Sequence, residues 1–179
     1  MRHLTSFLSI LISAGLLFEV LPVGPAQSTE TPREGRPAPE ENLAIIVNTS
    51  NPLENLSMEE LRRIFLGERG HWPSGRRITL VMMGPDQPER KVILRDVCQM
   101  NETEFNYHFL HGLFTGEVLV SPKTLATPLG ARKFVFNVPG AIGYLRVSDV
   151  DTSVRVVRVD ERLPDDKGYK LHIQQRPFR

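Results

Sequence analysis

The run LAIIVN, Leu43 to Asn48, constrains the fold more than any other stretch. Five consecutive apolar side chains point alternately to both sides of an extended chain, so a strand made of them has to be covered on both faces. TSNP, directly after it, is a turn. The next segments supply helices to cover it. Ser57 stands three residues before Glu60 as a capping box, and Met58, Leu61, Ile64 and Phe65 form one apolar stripe that ends at Gly67. RRITLVMM, Arg76 to Met83, reads as a second strand stopped by Gly84-Pro85. Pro88, flanked by Asp86 and Glu89, opens a helix carrying Val92, Ile93, Val97 and Met100. Another helix begins near Asn101, with Phe105, Phe109 and Leu113 on its inner side. A further one is predicted from about Pro128 to Asn137, with Ala131, Phe134, Val135 and Val138 on one face. VPGAIGYL, residues 138 to 145, ends that helix and begins a strand with Gly143 in its middle, and VRVVRV, Val154 to Val159, alternates as a half-exposed strand does. Strands alternating with helices predict an α/β fold, a mainly parallel sheet flanked by helices.

The rest of the chain sets the boundaries. Arg2 and His3 precede the uncharged run LTSFLSILISAGLLF, Leu4 to Phe18, and the small-residue site Gly24-Pro25-Ala26 follows. That is the layout of an export signal over residues 1–26 and predicts a periplasmic or otherwise extracytoplasmic protein. QSTETPREGRPAPEEN, residues 27–42, is proline-rich, charged and nearly without apolar side chains, which predicts a disordered linker. The folded domain is expected over residues 43–160, with 161–179 as a C-terminal tail. Lys and Arg number 22 against 21 Asp and Glu, interspersed, so no basic face suits a nucleic acid. The single cysteine, Cys98, excludes an intrachain disulfide.

Taken in order, these landmarks resemble one lobe of the phosphate-type substrate-binding proteins that serve ABC transporters. The resemblance is carried by IIVNTSNP, by LSMEELRRIFLGERGHWPSGRRI with its Phe65, Gly67, Trp72 and Gly75, and by the group from Pro139 to Tyr144 in VPGAIGYL. It covers roughly Leu43 to Val159, and the later VDERLPDDKGYKL is similar to the tail of short, one-lobe members. The resemblance implies one lobe of a type II periplasmic binding protein, an oxyanion as ligand, and a membrane transporter or sensor as partner. It also implies that the glycines of GAIGY let neighbouring backbone approach closely. From the residues alone, Gly140 also fits a helix C-cap and Gly143 a tight packing contact.

An oxyanion site in such a receptor uses hydroxyls and backbone N–H groups at helix starts. Thr49, Ser50 and Asn51 after the first strand, and Gln87 and Arg90 after the second, are the candidate ligand residues. Thr49 and Ser50 serve equally as a turn with Asn51 and Pro52. Where the family has a basic residue and a Ser-Gly-Thr turn, this chain has GPDQPERKV. Asp86 and Glu89 in the first turn of that helix would satisfy its N–H groups themselves and repel an anion, with Arg90 as partial compensation. Glu104, His108 and His111 have metal-ligand spacing on one helix but no distant fourth ligand, so no metal is expected. Trp72 in GHWPSG is either a loop anchor or a recognition contact. No nucleophile turn, triad or carboxylate pair emerges from the spacing, Cys98 sits among apolar neighbours, and no cofactor motif is present, so a non-enzymatic protein is expected. A rival reading keeps the lobe but not its ligand: an interaction module that binds a protein or envelope component.

Overall fold

The computed structural model describes residues 41–173. The expected export signal and nearly all of the expected linker lie outside the described residues. The elements follow in the order β1 (Glu41–Asn48), β2 (Asn55–Leu56), α1 (Met58–Phe65), β3 (Thr79–Met83), α2 (Pro88–Val92, continuing as a π-helical turn over Ile93–Cys98), α3 (Glu102–Thr115), β4 (Lys123–Leu125), α4 (Pro128–Asn137), β5 (Ala141–Arg146), β6 (Val154–Val159) and β7 (His172–Ile173). The class is α/β, with one sheet in the order β2-β6-β1-β5-β3-β4 and β7 joined to β1. β3 runs parallel to β4 and β5, and β2 parallel to β6, whereas β1 in the middle runs antiparallel to β5, β6 and β7.

Helices cover both faces of the sheet, as the apolar run of β1 requires. Successive strand residues point to opposite sides. Gly143 faces Val135 of α4, and the next residue, Tyr144, packs its ring 5.9 Å from that of Phe65 in α1. Leu43 to Val47 are accordingly buried along their whole length. The capping box at Ser57 and Glu60 is formed, and a second one, Asn101 with Glu104, starts α3.

The fold extends beyond both expected boundaries. Glu41 and Asn42 pair with Ile173 and His172, so β1 begins inside the expected linker. Tyr169, Leu171 and Ile173 are buried, and the Tyr169 hydroxyl donates to the Leu43 carbonyl at 2.7 Å, so the segment after residue 160 is part of the core rather than a tail.

Gly140 is not the cap of α4, which ends at Val138 in extended backbone. A Cβ on Gly140 would lie 2.1 Å from the carbonyl oxygen of Arg77. The Gly140 carbonyl accepts from Thr79 N at 3.0 Å and from Trp72 Nε1 at 3.0 Å. Trp72 is therefore buried and tied to the start of β5, an anchor for the GHWPSG loop. A Cβ on Gly143 would meet Val81 Cβ at 3.2 Å, closer than ordinary van der Waals contact, so Val81 would have to give by a few tenths of an ångström.

Candidate functional site

In open α/β sheets the ligand crevice lies beyond the carboxyl ends of parallel strands. Here those ends belong to β3, β4 and β5, and β2 and β6, beyond β1, end on the same side. β3 leads through Gly84 to Gln87 into α2, β4 leads through Ala126 and Thr127 into α4, and β5 leads into a short 3-10 turn at Val147–Asp149. Three helix starts thus lie along one edge of the sheet, where the orphan N–H groups of first turns favour negative charge; that of α1, after β2, is closed by its own Ser57 and Glu60 capping box, which leaves those of α2 and α4.

The five predicted ligand residues do not share that edge. Leu43 at the beginning of β1 pairs with Arg146 at the end of β5, and Val47 pairs with Ile142 near its start. Thr49, Ser50 and Asn51 therefore sit beside the amino end of β5, about 17 Å along the strand from Gln87 and Arg90. The antiparallel direction of β1 thus sets the two groups of candidate residues at opposite ends of the sheet. Around Ser50 the polar groups satisfy one another: its hydroxyl donates to Asn48 Oδ1 at 2.7 Å and accepts from Arg76 Nη1 at 3.2 Å. The Thr49 carbonyl accepts from Arg155 at 3.2 Å. Asn51 is buried, its Oδ1 accepts from Leu53 N at 3.1 Å, and its Nδ2 has no hydrogen-bond partner among the described residues.

At the carboxyl edge, Gln87 is the N-cap of α2 without a side-chain cap bond and stays half-buried. Arg90 does not face a ligand. It is 4% exposed, holds Glu102 through two hydrogen bonds of 2.9 and 2.8 Å, donates to the Met83 carbonyl at 3.0 Å and lies 5.1 Å over the Phe105 ring. Asp86 is exposed, whereas Glu89, expected to answer the N–H groups of its own helix, is 3% exposed and turned to Arg146, with which it forms an ion pair. Arg146 also pairs with Glu41 at 2.6 Å, and Ser148 donates to the same carboxylate. Glu89 Oε2 has no partner among the described residues. Sequence reasoning passed over Arg146, Glu41 and Ser148 because a strand-end arginine and a linker glutamate carry no motif; only the register brings them together.

The remaining candidates each have a local occupation. Glu104 accepts from Asn101 N at 2.8 Å, His108 Nε2 lies 2.8 Å from the Leu66 carbonyl, and His111 stacks on Tyr107. The three side chains border one open hollow with Tyr107 and Glu117, but no cluster suited to a metal ion is found among the described residues. Cys98 is fully buried, and burial pushes its thiol up to about 12. Its thiolate population at neutral pH is too small for nucleophilic work. A thiol reagent should react with the folded chain at least about 100-fold more slowly than with the unfolded one. Rapid modification without unfolding would contradict this.

No protein-family model matches the chain. Solved structures share its fold. An ABC-type phosphate transport receptor from Vibrio cholerae is 22% identical, with TM-score 0.53, over 70% of this chain and 48% of that one. A putative phosphate ABC transporter substrate-binding protein with bound phosphate, from Clostridium perfringens, is 21% identical, with TM-score 0.54, over 70% and 47% of the two chains. PstS from Borrelia burgdorferi is 14% identical, with TM-score 0.57, over 75% and 55%. The chain thus spans about half the length of these proteins. The expected resemblance to one lobe of such receptors is met at the level of the fold.

Proposed function

We propose that the chain is a non-catalytic, exported solute-binding module that holds one lobe and recognises a phosphate-like oxyanion weakly, or with a partner closing over it, in the service of a transporter or sensor. One observation carries this reading: a fold matching about half of several phosphate receptors, with the starts of α2 and α4 brought to the same carboxyl edge. The signal-like N-terminus supports export.

The same edge sets the affinity low. Both helices open on a proline, Pro88 and Pro128, which has no N–H to offer. Gly130 N is taken by the Thr127 hydroxyl at 3.1 Å. The two basic groups nearby are engaged, Arg90 with Glu102 and Arg146 with Glu89 and Glu41. Donors from one side leave an anion in contact with water, where each hydrogen bond is weaker than in a closed cleft. Phosphate is therefore expected to bind no tighter than about 0.1 mM, roughly 5.5 kcal/mol.

A second reading, an envelope interaction module that has lost its ligand, is favoured by the closure of Arg146 between two carboxylates. Thermal unfolding in graded phosphate separates the two. Weak binding at 0.1 mM gives at most about 2.7 kcal/mol of stabilisation at 10 mM phosphate and almost none at 10 μM. A rise in the unfolding temperature at micromolar phosphate would contradict weak binding, and no rise at 50 mM would leave the interaction module.

A further inference from the structure

α3 is apolar on both of its sides. Phe105, Phe109 and Gly112 face the core, and Tyr107, Leu110 and Phe114 lie on the opposite side by helical spacing. These outer residues are 66%, 61% and 84% exposed, with Leu113 at 52% on the flank and Leu119 at 54% in the following loop. Between Phe105 and Thr115 the helix carries no Asp, Glu, Lys or Arg. Leu113, expected on the inner side, is outside because Gly112 takes the core position: a Cβ there would lie 2.4 Å from a Val118 methyl. A helix that is apolar on two opposite sides needs cover on both, its one polar flank being Glu104, His108, His111 and Thr115, and no described residue covers the outer side.

We propose that this face of α3 is a two-fold contact between two copies of the chain. The exposed fractions of side chains this size add up to roughly 500–600 Å² on each copy. Two copies covering each other would therefore bury on the order of 1,000–1,200 Å², the lower bound for a specific interface. The composition is that of an interface centre, aromatic and aliphatic with charge absent. A partner of different surface would be marked by a charge pattern to match, and this face has none to offer. An anionic bilayer is disfavoured as well, since the charges bordering the face, Glu104 and Glu117, are acidic. Self-pairing needs only that the patch complement itself across the axis. In an antiparallel crossing centred beside Leu110, Tyr107 of one copy meets Phe114 of the other, ring against ring. Leu110 lies closest to the axis.

The test uses the full chain. Analytical ultracentrifugation should give a dimer mass at tens of micromolar, and Phe114→Asp, which alters an exposed side chain only, should raise the dimer dissociation constant at least about 30-fold while leaving the unfolding curve unchanged at protein concentrations low enough that both forms are monomeric. With buried Cys98 silent, Leu110→Cys should be linked rapidly by a short bis-maleimide, and Lys133→Cys on α4 should not. A monomer at 100 μM would overturn the assignment. So would a dimer indifferent to Phe114→Asp, which places the contact elsewhere, or equal linkage of the two cysteine variants. Co-sedimentation of a monomer with phosphatidylcholine vesicles would give the face to a bilayer instead.

Discussion

Replacing Gly140 with alanine is expected to destabilise the chain by on the order of 4 kcal/mol, a value reserved for a few mechanisms of which backbone overlap is one. The added Cβ would sit 2.1 Å from the Arg77 carbonyl oxygen, a backbone atom that no rotamer change can move aside. Shifting Gly140 away breaks its carbonyl's hydrogen bonds to Thr79 N and Trp72 Nε1, and these fix the alignment of β3 with β5 and hold the GHWPSG loop. Thr79 pairs with Ala141, the very next residue, so the strain enters the sheet directly. The unfolding midpoint should fall by roughly 10–15 °C for a domain of this size. Gly143→Ala, with 3.2 Å to a side-chain atom, should lose only about 1–2 kcal/mol. Equal, small shifts for both variants in chemical denaturation would show that the close approach at Gly140 is not what VPGAIGYL provides.

Arg90→Met should lower stability by about 3 kcal/mol and leave phosphate affinity unchanged within about twofold. Methionine keeps much of the volume against Phe105 but removes three hydrogen bonds, two to Glu102 and one to the Met83 carbonyl. Glu102 is partly exposed and can return to water, which holds the loss below that of a fully buried pair. An arginine serving as a ligand side chain would behave in the opposite way. A variant as stable as the parent that loses tenfold or more in phosphate affinity would restore Arg90 to the site.

The elements were legible wherever a local signal exists. The apolar run of β1, the Ser57 and Glu60 box, the Pro88 and Pro128 helix starts and the turn at Gly84-Pro85 are each within a few residues of where those signals place them. Strand direction has no such signal. LAIIVN has the same burial pattern whichever way it runs, so the sequence does not tell whether Thr49 and Ser50 share an edge with Gln87 and Arg90, which the register of β1 against β5 sets at the other end of the sheet. Periodicity fails on α3 for a related reason. Apolar residues on two opposite sides and one flank leave no single stripe to choose, so periodicity puts Leu113 inside although Gly112, with no side chain at all, is the residue Val118 packs against. The Glu89, Arg146 and Glu41 group joins residues 105 positions apart between Glu41 and Arg146, a closeness that exists only once β1 and β5 are paired.

Titration of isotope-labelled protein with phosphate, followed by backbone amide NMR, reads the location and the affinity of oxyanion binding together. Weak binding at the carboxyl edge gives shifts concentrated at Gln87, Glu89 and Arg90 and at Leu129, around the starts of α2 and α4, with a midpoint no lower than about 0.1 mM. Saturation at micromolar phosphate by the single chain, or shifts centred on Thr49, Ser50 and Asn51, would contradict it.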